Sequence, residues 1–251
     1  MYASLSGSRS RVPVAVPCMR TMIRGLNRAE SRKREHTPLM PHRLTSDIIE
    51  DEGQLMALLG EPTPIVCSKV SDRVNRLTRA FIERASMVFL ATSGRDGSCD
   101  VSPRGDPAGF VRVLDDLTLL VPERPGNRLA DSLRNILANP RVGLLFVVPG
   151  VSDTFRVNGR ATITTDRALL EPCTREGKVP KLGIIVDVEQ AFTHCSKAFL
   201  RSEFWNPARF VDRAELPTNG EIHKELKGGD FDADEYDRAR AERYARREGF
   251  Y

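Results

Sequence analysis

Between Ser102 and Ser132 the sequence gathers side chains that could grip an anion. Ser102 and Arg104 sit in a Ser-Pro-Arg-Gly-Asp segment, Arg124 and Arg128 flank a Pro-Gly loop, and Ser132 follows shortly after. Asn127 is a good helix N-cap, because its side-chain oxygen can accept a free backbone N–H. Leu129, Leu133, Ile136 and Leu137 then repeat at helical spacing, and Pro140 stops the run. A helix opening at this point presents unpaired N–H groups and the positive end of its dipole. With guanidinium and hydroxyl donors beside it, such an end would suit a phosphate ester. The blander reading of the same residues is a surface loop with solvated arginines, since basic residues near helix starts are common.

Other chemistries find little support. There is no Ser-His-Asp, His-Glu-x-x-His or Walker-type pattern. Asp115-Asp116 resembles a catalytic pair, but the two lie between short apolar runs, where Asp serves a tight turn. His194 next to Cys195 is the one close His/Cys pair; adjacent residues rarely ligate one metal together, so no metal site is expected. The five cysteines are dispersed without a Cys-x-x-Cys pair. That usage fits a reducing cytosol, so a cytoplasmic location is expected.

The elements that must position these residues can be read from the periodicity. The length of 251 residues allows one large or two small domains, and no apolar stretch approaches a membrane span. The net charge of +4 is uneven: residues 1–44 carry nine Arg or Lys against two acids, which leaves the remainder net negative. A mildly acidic body with a basic leader argues against nucleic-acid binding. Residues 1–40 lack periodicity and read as a disordered leader, with Met40 as the favoured start of translation. A helix is expected over Ser46–Leu59, with Ile48, Ile49, Leu55, Met56, Leu58 and Leu59 forming an apolar face. A second is expected to start at a Ser71 or Asp72 cap, with Val74, Leu77, Phe81, Ile82 and Ala85 packed inward. Strands follow at Met87–Thr92 and Cys99–Arg104 across an Asp96-Gly97 turn, then Phe110–Leu114 and Leu117–Val121. After the short helix come Val142–Val148, Thr154–Thr164 and Leu182–Val188. Between the last two, Asp166 opens a short helix ending by Gly177. Ser196–Trp205 reads as a helix with Ala198, Phe199 and Leu200 toward the core, and Asp234–Arg247 as a charged helix. The fold class is thus mainly β with flanking helices, six to seven antiparallel strands forming a closed or split barrel. Helices do not alternate with strands, so a parallel doubly wound sheet is not expected.

This order of strand, turn, strand, basic loop, short helix, Asn-Pro and apolar strand resembles the FMN-binding split barrel of the pyridoxamine 5'-phosphate oxidase family. Within that family it is most similar to a bacterial subgroup of probable FMN-dependent enzymes. The matching segments are FLATSGRDGSCDVSPRGDPAGFVRVLDD, LLVPERPGNRLADSLRNILANPRVGLLFVVPG, FRVNGRATI and HCSKAFLRSEFW, which span about half of the chain. The expected domain plan is a disordered basic leader over 1–40, an N-terminal helix and linker over 41–70, the FMN-binding split barrel that the resemblance implies over 71–205, and a C-terminal extension with a charged helix over 206–251. The resemblance also implies an FMN phosphate held by Ser102, Arg104, Arg124, Asn127, Arg128 and Ser132, with the backbone of Val101–Pro103 beside the flavin ring. A homodimer is implied, with FMN between subunits and Lys197, Arg201 and Trp205 reaching it from the partner chain. For Trp205 plain packing is an equal reading. The activity implied is FMN-dependent oxidoreduction of a small-molecule substrate. The alternatives are a non-catalytic flavin-binding protein, or a split barrel using deazaflavin or haem. Two departures stand out. The adjacent Arg-Lys of true pyridoxamine-phosphate oxidases falls on Asp131-Ser132 here, and the C-terminal signature for pyridoxal phosphate is missing after Trp205. FMN binding therefore carries over better than a vitamin B6 substrate does.

Overall fold

The computed structural model describes residues 47–227 and 230–251. The basic leader and the Met40 start lie outside the described residues. The described residues divide into two compact units, the first ending at Ser71 and the second starting at Asp72.

The described part of the first unit holds two short helices, α1 (Glu52–Leu59) and α2 (Pro64–Ser68). The first begins later than its apolar pattern suggests, because Asp51 takes the cap position and its side chain accepts the Gln54 N–H at 2.8 Å. Ile48 and Ile49 fall before the helix. No residue of α1 is buried, so the expected apolar face does not form a core.

The second unit opens with α3 (Arg76–Arg84). Its cap is Asn75 rather than Ser71 or Asp72. The Asn75 side chain accepts the N–H groups of Leu77 and Thr78, each at 2.9 Å, while the Thr78 hydroxyl accepts the Asn75 N–H. This reciprocal box satisfies donors that a helix start otherwise leaves open. Ile82 points inward, fully buried, whereas Leu77 is exposed.

Seven strands follow: β1 (Met87–Ser93), β2 (Cys99–Gly105), β3 (Arg112–Asp115), β4 (Thr118–Pro122), β5 (Arg141–Val147), β6 (Thr154–Thr164) and β7 (Gly183–His194). They make one antiparallel sheet in the order β2-β1-β5-β6-β7-β4-β3, which leaves β2 and β3 as its edges. The expected fold class therefore holds. Tight turns close the local hairpins: Gly97 takes φ +87° between β1 and β2, and Asp115 accepts the Leu117 N–H between β3 and β4. One face of the sheet carries the core, with Val88, Leu90, Leu144, Phe146, Phe155, Val157, Ile184 and Val186 buried beneath α3 and the helix α4 (Asp131–Ala138).

Other boundaries also differ from the sequence reading. Strand β7 runs to His194, not Val188. Asn158 pairs with Gln190 and Gly159 with Val188, so Glu189 is an extra residue, and this bulge breaks the alternation that marks a strand. Strand β3 starts at Arg112, after the buried Phe110 and Val111. Helix α6 (Lys197–Arg201) is shorter than expected and buries none of its residues; Leu200 is exposed. Elsewhere Asp166 caps α5 (Arg167–Leu170) through the Ala168 N–H, as its type suggests. Helices α7 (Asn219–Lys227) and α8 (Ala233–Ala245) close the chain, with Gly220 N–H donating to Asp237.

Candidate functional site

Strand β2 presents Asp100, Ser102 and Arg104 on one face, since side chains two apart share a side. Their partners on β1 are Thr92, Leu90 and Val88, so this face is the core side of the sheet at its open edge. The start of α4 packs here and supplies Ser132, which is buried. Arg104 Nε donates to Ser102 Oγ at 3.1 Å, the two serine hydroxyls lie 3.0 Å apart, and Ser132 Oγ donates to Asp100 Oδ2 at 2.8 Å. Each serine has one proton. Because that of Ser132 goes to Asp100, Ser102 must donate to Ser132, and the chain runs from guanidinium to carboxylate. Arg104 also forms an ion pair with Glu123, just past β4.

The loop from Glu123 to Ala130 enters α4 by an unusual route. Arg128 and Ala130 both adopt left-handed backbone conformations, with φ +65° and +58°. Non-glycine residues there carry strain that the surroundings must hold, a feature that gathers at functional sites. The helix consequently starts at Asp131. Asn127 is not its cap; the side chain instead accepts the Leu129 N–H at 3.0 Å and shapes the loop. Asn127, Arg128 and Leu129 are exposed.

The nine residues singled out in the sequence fall into five places. Ser102, Arg104 and Ser132 meet directly. Asn127 and Arg128 sit on the exposed loop leading to them. Arg124 is engaged with Asp106 and the Cys173 carbonyl. Burial pushes the Cys173 thiol up, and the charges of Arg112 and Arg124 pull against it. Lys197 and Arg201 line a separate groove. Trp205 stacks on Phe199 at 5.9 Å and donates its indole N–H to the Val151 carbonyl at 3.1 Å.

That groove covers about 580 Å³ on the sheet face opposite the core. Cross-strand rows build its floor: Val101, Ala91, Gly143 and Asn158 in one, Phe89, Leu145 and Arg156 in the next. Small residues at Ala91 and Gly143 make the trough, and α6 closes one end with Lys197, Phe199 and Arg201. Arg156 donates to Asn158 at 3.1 Å and lies over the Phe192 ring, with His194 at 3.5 Å. Val101 is 61% exposed and Phe89 39%, high values for apolar side chains in a sheet.

Asp100, Glu123 and Asp106 are not among the residues that the sequence pattern marks. Asp100 could have been found, because it precedes Ser102 by two on a strand and so shares its face. Nothing in the local sequence around Glu123 signals that it pairs with Arg104.

Fold and site define a split antiparallel β-barrel with flanking helices. Residues 75–195 match the family described as pyridoxamine 5'-phosphate oxidase, so the resemblance read from the sequence stands over this segment, just under half of the chain. Solved structures similar to the chain include tagged HupZ from Group A Streptococcus, at 23% identity over 48% of this chain and 93% of that one, with a TM-score of 0.39. General Stress Protein 26 from Bacillus anthracis str. Sterne is 18% identical over 46% of this chain and 88% of that one, with a TM-score of 0.36. An FMN-binding protein from Syntrophomonas wolfei is 14% identical over 47% and 89%, with a TM-score of 0.36. No curated protein matches. Among the described residues no helix is long and apolar enough to cross a membrane.

Proposed function

We propose that the protein is an FMN-dependent oxidoreductase acting on a small-molecule substrate in the cytoplasm. The observation that carries this reading is the meeting of Ser102, Arg104 and Ser132 where α4 docks on the open edge of the sheet, inside the family-matched segment. Two hydroxyls, a guanidinium and the first N–H groups of a helix form a donor set that fits a phosphate ester. Arg128 and Asn127 border it on the exposed loop, and Arg124 anchors that loop. When bound, FMN would supply hydride or electron transfer through its N5 atom.

The chain's own residues bind and orient. Arg104 would hold phosphate oxygens in place of the Glu123 carboxylate, and the hydroxyls of Ser132, now on Asp100, and Ser102, now on Ser132, would donate to the same group. Asp100 and Glu123 then act as competitors that keep the donors ordered before the ligand arrives. The edge strand leaves Val101–Pro103 free to lie beside the ring.

The exposed apolar groove supports a homodimer, with a second copy covering Phe89 and Val101 and with Lys197, Arg201 and Trp205 serving the partner's cofactor. Sedimentation of a monomer at micromolar concentration would remove this part. On the same reading residues 71–205 are the cofactor-binding barrel and 206–251 an extension.

The test is a visible absorption spectrum taken after FMN is added and the protein is desalted. Retained flavin bands support the reading; a protein that keeps none overturns it and leaves deazaflavin and haem as the next ligands to try. For the site itself, Arg128→Ala is expected to weaken FMN binding by about 1.5–3 kcal/mol, tenfold or more. Flavin fluorescence titration measures it, and an unchanged affinity takes Arg128 out of the site.

A further inference from the structure

The loop bearing Arg124, Asn127 and Arg128 is held by a segment far away in sequence. Asp106, one residue past β2, has a side chain only 1% exposed. One carboxylate oxygen accepts from Arg124 at 2.7 and 2.8 Å, and the other accepts the Tyr251 hydroxyl at 2.6 Å. The Arg124 guanidinium lies over the Tyr251 ring, 5.1 Å from its centre, and donates to the Cys173 carbonyl at 2.8 Å.

Tyr251 is itself tied down. Its carbonyl accepts from Lys178 Nζ at 2.9 Å, and Arg247 lies over its ring while pairing with Glu176 at 2.7 Å. Residues 247–251 thus cross from the end of α8 to the turn at 175–178 and set a phenol on the buried carboxylate that orients Arg124. The hydrogen bond to Asp106 pushes the phenol of Tyr251 above its ordinary range, so it stays a donor. Two ion pairs then stitch the end of β2 to the start of the loop: Arg104 with Glu123, and Arg124 with Asp106.

We propose that residues 247–251 form a strap, in which Tyr251 is a positioning residue that acts through Asp106 and Arg124 to fix the loop 123–130 and so sets how fast the cofactor leaves. The inference rests on reading that loop as part of the FMN site. Without the hydroxyl, Asp106 keeps only Arg124, so the carboxylate that orients Arg124 loses one of its two partners and its hold on the loop, with the strained Arg128 and Ala130, loosens. Hydrogen bonds to charged groups are among the stronger ones, and losing one frees its partner to move.

Tyr251→Phe in the full chain tests this, since it keeps the ring over Arg124 and removes only the hydroxyl. Amide hydrogen exchange at Arg124, Gly126, Asn127 and Arg128 is expected to quicken roughly tenfold. FMN release, followed by returning flavin fluorescence, should quicken by a similar factor, with the urea midpoint nearly unchanged. Lys178→Ala, which loosens the strap from its other side, should do the same to a lesser degree. Unchanged exchange in the loop would overturn the strap. Faster exchange with unaltered FMN release would overturn its control of the cofactor. If the unaltered protein retains no FMN, the flavin reading fails, and the exchange experiment still decides whether Tyr251 holds the loop.

Discussion

Phe155→Ala is expected to lower the unfolding free energy by about 3–5 kcal/mol, the usual cost of emptying a buried aromatic position. Phe155 is fully buried on β6. Its ring stacks with Phe81 of α3 at 5.9 Å and meets Phe146 of β5 at 6.2 Å. It therefore joins the helix that covers the core to the centre of the sheet. Truncation removes contacts on both sides, and neither neighbour can follow, because α3 is pinned by its cap box and β5 by pairing on both edges. Urea denaturation by circular dichroism measures the loss. A change under about 1 kcal/mol would mean that the site collapses to fill the space. Phe155→Leu, closer in volume, should cost less and provides the control.

Gly159→Ala should be nearly as damaging although it adds a single methyl. A Cβ at this position would stand 2.0 Å from the Asp187 carbonyl oxygen and 3.3 Å from a Val186 methyl. The first is backbone of a paired strand and cannot swing away. Gly159 lies beside the bulge at Glu189, where the β7 backbone comes unusually close. The substitution is expected to cost about 3 kcal/mol, the upper end for an inserted methyl in a packed interior. That corresponds to roughly 6–12 °C in melting temperature for a unit of this size. Differential scanning calorimetry would show it, and an unshifted melting point would mean the bulge slides to accommodate the group.

Much of the architecture was legible from the sequence because the signals were local. The apolar run of β1, the hairpin turn at Asp96-Gly97 and the long run of β6 each depend on neighbours in the chain. Helix α6 is shorter than its pattern suggests, because Ala198, Phe199 and Leu200 look like a core stripe, while the structure gathers Phe199, Phe204 and Trp205 into a small surface cluster. The entry to α4 was misplaced for a related reason. Asn127 has the chemistry of a cap, but left-handed residues at Arg128 and Ala130 use it to shape a loop instead. No pattern in one sequence announces a strained backbone.

The site was half visible. Ser102, Arg104 and Ser132 were recognisable as donors, and they do converge. Their acidic counterparts come from pairings between separate elements: Glu123 reaches Arg104 across 19 positions, and Asp100 reaches Ser132 across 32. The groove was invisible for the same reason, since Ala91, Gly143 and Arg156 become neighbours only when β1, β5 and β6 pair.

An open sheet edge at a binding site carries a hazard. Edge strands display unpaired N–H and C=O groups, which can recruit the same strand from another molecule and begin aggregation. In this protein β2 must stay uncovered if a ligand is to lie along it. Pro103 stands in its middle and has no N–H to offer. The opposite edge, β3, is only four residues long. Neither edge can template a long intermolecular ladder, so the proposed site can lie on open backbone without inviting copies of the chain to polymerise there.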